Sequence, residues 1–112
     1  MPLARRFQAL GRMKTGRMNR TESRFAEILR GRELAGEVLW WKFEALKFRL
    51  ADNTFYTPDF IVLRKDGHIE AYEVKGFWTD DARVKVKVAA DLYPLEFIAV
   101  RKTRAGWQEE RF

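Results

Sequence analysis

The feature that most constrains the fold is a proline–aspartate pair inside a run of aromatic and β-branched residues. Pro58 and Asp59 stand directly before Phe60-Ile61-Val62. Proline has no backbone N–H to donate to a neighbouring strand, so the strand that contains this pair is expected to begin at a sheet edge or at a bend. We predict one strand over residues 54–64.

Both faces of this predicted strand carry apolar side chains. Alternation places Asp59 with Ile61 on one face and Phe60 with Val62 on the other. A strand that is apolar on both faces is expected to be central and covered on both sides. A carboxylate in such surroundings is costly unless it is paired or metal-bound. The alternative is that Asp59 only caps a turn at the start of the strand.

A second strand is predicted from His68 to Gly76, after a turn at Lys65-Asp66-Gly67. Alternation puts Glu73 and Lys75 on one of its faces and Glu70 on the other, so Glu70 is left out of the site. If the two strands form a hairpin, Asp59, Glu73 and Lys75 converge, and they can hold a magnesium ion and orient a water. The alternative for Glu73 and Lys75 is a surface ion pair worth little energy.

Pro58-Asp59 followed by Glu73-Val74-Lys75 resembles the signature of the PD-(D/E)XK nuclease superfamily. The order of acidic helix, Pro-Asp strand and Glu-x-Lys strand is similar to that of its small junction-resolving members, the archaeal Holliday junction resolvases and the phage endonuclease I type. Two segments are also similar in sequence to small phage proteins of this superfamily: Tyr56-Thr57-Pro58-Asp59-Phe60 and Glu73-Val74-Lys75-Gly76-Phe77-Trp78. The resemblance covers residues 19–102 and implies a single restriction-endonuclease-like domain.

The resemblance also implies an activity. It indicates a metal-dependent endodeoxyribonuclease that cuts branched DNA, a phage Holliday junction resolvase, working as a homodimer. It implies a phage or prophage protein acting in the cytoplasm of the bacterial host. The expected cofactor is Mg²⁺, for which Mn²⁺ would substitute. Its ligands would be Asp59, Glu73, the Val74 backbone carbonyl and Glu22, and the catalytic set would be Glu22, Asp59, Glu73 and Lys75.

Composition narrows the possible chemistry. The chain of 112 residues is long enough for one domain with a modest core. It has no cysteine and one histidine, which excludes thiol catalysis, disulfides, thiolate metal sites and a multi-histidine zinc site within one chain. With 46% hydrophobic and 34% charged residues and no long apolar run, it is expected to be globular, with no membrane partner.

The positive charge is concentrated at the N-terminus. Residues 1–20 contain six basic and no acidic residues, and the whole chain has a net charge of +6. We predict a basic arm over residues 1–18 and a nuclease domain over residues 19–112; a solvated leader is the alternative for the arm. Basic residues expected to contact DNA phosphates lie in the arm, at the start of the first helix and on the second helix: Arg12, Lys14, Arg17, Arg20, Arg83, Lys85 and Lys87.

The first helix is predicted to begin near Asn19 and to end at Gly36. Asn19 and Glu22 fit a capping box. Apolar residues then recur at helical spacing and predict a buried stripe: Phe25, Ile28, Leu29 and Leu34. Glu22 is expected to project from the first turn towards the core, either as a cap alone or as a third acidic member of the site.

The second helix is predicted between Thr79 and Pro94. Residues 83–88 alternate as in a strand, but the Thr79 cap and the two acids after it favour a helix. Its stacked apolar side would contain Val84, Val88 and Leu92. The predicted fold is therefore α/β, with a twisted mixed sheet of four or five strands flanked by two helices.

Two other functions remain compatible with these residues. One is a different magnesium-dependent nuclease, such as a nickase, a repair or restriction-type enzyme, or an enzyme that cleaves RNA. The other is a non-catalytic phage DNA-binding protein whose acids serve structure. A nuclease loses cutting in a chelator, whereas a protein that only binds DNA does not need the metal.

Overall fold

The computed structural model describes residues 16–77 and 79–112. In order along the chain, these residues form α1 (Arg20–Leu34), β1 (Val38–Phe43), β2 (Phe48–Ala51), β3 (Thr54–Tyr56), β4 (Phe60–Arg64), β5 (Ile69–Lys75), α2 (Asp80–Leu92), β6 (Glu96–Thr103) and β7 (Gly106–Arg111). The predicted α/β class with two helices and a mixed sheet is confirmed.

Five strands form the main sheet in the order β1-β4-β5-β6-β7, and β2 pairs with β3 in a separate two-stranded sheet. β4 and β5 are antiparallel, whereas β5 and β6 are parallel and are connected through α2. The two faces of the sheet bury different sets of residues. Phe60 and Val62 pack with residues of α1, whereas Ile61 packs with Val86 and Ala89 of α2. β4 is therefore central and covered on both faces, as predicted.

The prediction of one strand over residues 54–64 is wrong. β3 ends at Tyr56, β4 begins at Phe60, and the two strands belong to different sheets. Pro58 lies in the break, and it cannot donate a backbone hydrogen bond to a neighbouring strand. The chain leaves the small sheet, passes the buried Pro58 and enters the main sheet at Phe60.

α1 has the predicted ends but a shorter buried stripe than predicted. The Asn19 side chain accepts a hydrogen bond from the Glu22 N–H at 2.8 Å, and the Glu22 carboxylate accepts one from the Asn19 N–H at 2.8 Å. Gly36 has a φ of 81°, a left-handed conformation that suits the residue after a helix. Leu34 is 90% exposed, so the predicted extension of the stripe to this residue is wrong.

α2 buries a different face from the one predicted. The Thr79 hydroxyl accepts a hydrogen bond from the Ala82 N–H, so the predicted cap is confirmed. Val86 and Ala89 are buried, while the predicted apolar side is largely exposed: Val84, Val88 and Leu92. Spacing alone marks both sets as possible stripes, and contact with β2, β3 and β6 selects the first.

None of the helices in the described part of the chain is long and apolar enough to cross a membrane. Arg12 and Lys14, and most of the predicted basic arm, lie outside the described residues.

Candidate functional site

Two carboxylates meet at the end of the β4–β5 hairpin that is opposite its turn. The register pairs Phe60 with Tyr72, which brings the residue before Phe60 beside the residue after Tyr72. These two residues are Asp59 and Glu73. The carboxylate of Asp59 also accepts a hydrogen bond from the Val74 N–H at 2.7 Å. The sequence-predicted convergence of Asp59 and Glu73 is therefore present in the structure.

Glu73 is held by two side chains. It is buried, and its Oε1 atom accepts a hydrogen bond from the Tyr56 hydroxyl at 2.7 Å. Its Oε2 atom lies 2.9 Å from the Nζ atom of Lys75, which is 29% exposed. Glu73 and Lys75 therefore form the ion pair that their shared strand face predicts. Because Glu73 is buried and lies beside Asp59, this pair differs from a simple surface pair.

The surroundings of Asp59 disfavour the negatively charged form of its carboxyl group. Burial and the neighbouring Glu73 charge raise its pKa to about 8, against the lowering effects of the Val74 hydrogen bond and of Lys75. Asp59 therefore holds a proton at neutral pH for a large part of the time. A cation placed between the two carboxylates would remove this penalty and displace the proton.

Lys75 remains an ammonium group in this site. Burial by itself would lower its pKa, but the hydrogen bond from Lys75 to Glu73 and the charge of Glu73 outweigh burial, and the pKa is raised. A lysine with a raised pKa is a poor general base near neutral pH and a good partner for negative charge. Lys75 is thus suited to stabilising an anion.

Tyr56 is a site residue that sequence reasoning missed. Its side chain is buried, and burial followed by the Glu73 charge raises its pKa, so the hydroxyl stays protonated and donates to Glu73. In the sequence, Tyr56 stands out only as part of the motif around Pro58. The available signal was its place in a short strand just before the Pro-Asp pair, but only the tertiary fold brings it to Glu73.

Glu22 serves as the cap of α1. One of its carboxylate oxygens accepts the Asn19 N–H, as the capping-box alternative predicts. Its charge nevertheless acts on the site, because it contributes to the raised pKa values of both Asp59 and Lys75. Its metal-binding role stays a prediction.

The candidate metal site contains two carboxylates but no third acidic, histidine or cysteine ligand among the described residues. Within residues 16–77 and 79–112, no group of three or more His, Cys, Asp or Glu side chains is close enough to hold a metal ion. The donor set is therefore the pair Asp59 and Glu73. The Val74 N–H points to Asp59, and the role of the Val74 carbonyl as a further ligand stays a prediction. Magnesium keeps several waters and uses one or two carboxylates, so two carboxylates are chemically compatible with it, and Mg²⁺ stays a prediction.

The predicted DNA-contacting residues differ in exposure. Among those that the structure describes, Arg17, Arg20, Lys85 and Lys87 are exposed. Arg83 is half-buried, and its guanidinium group pairs with Glu110 in β7. Its predicted contact with DNA stays a prediction.

Comparison of the chain with protein-family models, curated proteins and solved structures yields no match. The functional reading therefore depends on the residues and on their geometry.

Proposed function

We propose that this protein is a metal-dependent endonuclease that hydrolyses phosphodiester bonds in DNA. The observation that carries the proposal is the meeting of Asp59, Glu73 and Lys75 at one end of the β4–β5 hairpin, with two carboxylates crowded beside one ammonium. A structural ion pair needs only one of the two acids. Paired acids with a perturbed pKa in a partly buried position are typical of functional sites.

Asp59 and Glu73 would hold Mg²⁺ or Mn²⁺, assisted by the Val74 carbonyl, with Glu22 joining through a water or a second ion. Such an ion polarises a scissile phosphate and lowers the pKa of its bound water. The chain itself keeps the two carboxylates in place: the Val74 N–H holds Asp59, and the Tyr56 hydroxyl holds Glu73. A site fixed by such hydrogen bonds needs little reorganisation during the reaction.

Lys75 would stabilise the negative charge that develops on the phosphate oxygens in the transition state. Its raised pKa supports this role over that of a proton acceptor. It is also 29% exposed, so its ammonium group is accessible to a substrate.

The proposed fold and substrate follow from the order of the elements along the chain. A helix with Glu22 at its start, a strand that follows Pro58-Asp59 and a strand with Glu73-Val74-Lys75 occur in the chain order of the superfamily that the sequence resembles. This order supports a restriction-endonuclease-like domain and, with it, a homodimer that acts on four-way junctions. Exposed Lys85 and Lys87 would contact the DNA backbone.

A second candidate is a DNA-binding protein without catalysis. It is favoured by one observation, the absence of a third metal-ligating side chain near Asp59 and Glu73 within the described residues. In this candidate the protonated Asp59 would serve as a hydrogen-bonded strand cap. The two candidates differ in whether divalent metal is needed and in whether the DNA is cut.

The test is a cleavage assay on a labelled four-way junction and a linear duplex, in Mg²⁺, in Mn²⁺ and in EDTA. The wild type is expected to nick the junction in either metal, and Asp59→Asn and Lys75→Ala are expected to abolish nicking. Asp66→Asn and Lys65→Ala are matched controls, because they make the same chemical changes at the exposed opposite end of the hairpin. These controls are expected to cut like the wild type.

Each other outcome has a definite meaning. Cutting of both substrates would retain the nuclease and remove the junction preference. DNA binding without cutting in either metal would overturn the enzyme proposal and leave the binding protein.

A further inference from the structure

The ion pair of Glu73 and Lys75 opens onto a pocket of about 370 Å³ between β3 and α2. Phe55 and Thr57 line one wall, and Asp81 and Lys85 of α2 line the other. Ligand pockets are typically a few hundred cubic ångströms or larger, so this one admits a group of about the size of a nucleotide. A substrate phosphate at Lys75 would therefore have a neighbouring part of the same strand in this pocket.

Phe55 presents an aromatic ring at this pocket. It is 41% exposed, whereas the next residue along β3, Tyr56, is buried beneath it. The Nζ atom of Lys47 lies 4.4 Å from the centroid of the Phe55 ring and occupies one of its two faces. The ring also lines the pocket, and a nucleobase stacked on an aromatic side chain typically contributes about 1–3 kcal/mol.

Two lysines lie at this ring and at its pocket. Lys47 stands over Phe55, and Lys85 lines the opposite wall of the pocket. Among residues 16–77 and 79–112, neither lysine forms an ion pair with an acid of the chain. Two unpaired ammonium groups beside an exposed aromatic ring are the combination that binds single-stranded nucleic acid, in which cations contact the backbone and the aromatic residue contacts a base.

We propose that this pocket is a subsite for one unpaired nucleotide of DNA, with its base stacked on Phe55 and its phosphate contacted by Lys85. The inference rests on the proposed nuclease function, and it specifies the substrate as DNA with an unpaired nucleotide beside the cut. Inside a duplex both faces of a base are stacked, so the nucleotide must leave the stack before it can meet Phe55.

The test measures binding in EDTA, where no cutting occurs, by fluorescence anisotropy of a labelled single strand and a labelled duplex of equal length. Phe55→Leu is expected to weaken single-strand binding roughly 10-fold, which corresponds to the loss of one stacked base. Phe55→Tyr, which keeps a stacking surface, is expected to restore it, and Lys85→Ala is expected to weaken both substrates. Trp40→Leu and Lys65→Ala are matched controls, because both residues are exposed and neither lines the pocket.

The subsite is overturned if Phe55→Leu binds the single strand like the wild type, or if it weakens single strand and duplex equally. Circular dichroism and thermal melting of each variant exclude loss of folding as the cause. Cleavage in Mg²⁺ separates this proposal from the proposed function. If Phe55→Leu selectively loses single-strand binding in a protein that never cuts, the subsite is retained and the nuclease function is overturned. If the protein cuts and Phe55→Leu does not change the cutting, the nuclease function is retained and the subsite is overturned.

Discussion

The β4–β5 hairpin carries a buried carboxylate at each end, and the two ends differ in the cations and hydrogen-bond donors that surround the carboxylates. At the turn end, Glu70 is 2% exposed and accepts a hydrogen bond from the Tyr72 hydroxyl at 2.9 Å. The guanidinium group of Arg64 lies 3.6 Å from the other oxygen of Glu70, and Arg64 also pairs with Asp66 at 2.7 Å. This carboxylate has both a hydrogen-bond donor and a cation.

At the other end, Asp59 and Glu73 lie beside one cation, Lys75. Lys75 contacts Glu73, and the pKa of Asp59 rises to about 8 because burial and the Glu73 charge are only partly offset. The same two strands therefore hold one balanced acid and one crowded pair. The difference indicates that Glu70 stabilises the fold, whereas the pair at Asp59 has the charge imbalance that a divalent cation would relieve.

The largest expected difference between the two ends concerns catalysis. Under the proposed function, Glu73→Gln should reduce metal-dependent cutting by on the order of 100-fold or more, because it removes a charge from the site while keeping the shape of the side chain. Glu70→Gln makes the same change on the other face of β5 and should cut at close to the wild-type rate. Initial rates of nicking of the labelled four-way junction measure both. Equal losses in the two variants would mean that the ends are not functionally distinct.

The next effect concerns stability at the turn end. Glu70→Ala should lower the free energy of unfolding by about 2–3 kcal/mol, because it leaves the Tyr72 hydroxyl without its buried acceptor and removes a partner of Arg64. Glu96 also pairs with Arg64 but is 48% exposed. Glu96→Ala should therefore cost about 1 kcal/mol or less. Urea denaturation compares the two, and a larger cost for Glu96→Ala would contradict the structural role of Glu70.

The smallest effect is a gain in stability at the crowded end. Because the folded-state pKa of Asp59 is raised, wild-type stability should decrease as the pH rises from about 4 to about 8. Asp59→Asn can still accept the Val74 N–H but does not titrate. At pH 8 it should be more stable than the wild type by about 1 kcal/mol or more, and the two proteins should converge near pH 4.

Asp66→Asn is the control for this pH dependence. The pKa of Asp66 is lowered, first by its hydrogen bond from the His68 N–H, so the charged form of Asp66 favours folding above its unfolded pKa. Its replacement should have the opposite sign at pH 8. Denaturation midpoints at several pH values measure both variants. An Asp59→Asn variant less stable than the wild type at pH 8 would show that the carboxylate is not strained.

The sequence alone predicted those features that depend on neighbouring residues. The capping box of Asn19 and Glu22 and the Thr79 cap are local hydrogen bonds. The turn before His68 is also set locally, since Gly67 adopts a φ of 89°. Alternation along β5 predicts that Glu73 and Lys75 share one side of the strand, and the two side chains form an ion pair there.

Only the tertiary structure decided which of several equivalent patterns is buried and which distant groups meet. Spacing on α2 permits a stripe at Val84 or one at Val86, and packing against β2, β3 and β6 selects the second. The chain break at Pro58 moves β3 into the small sheet and so brings the Tyr56 hydroxyl to Glu73. Phe55 likewise reaches the pocket beside Lys75. Such contacts join separate elements, and local preferences carry no information about how those elements pack together.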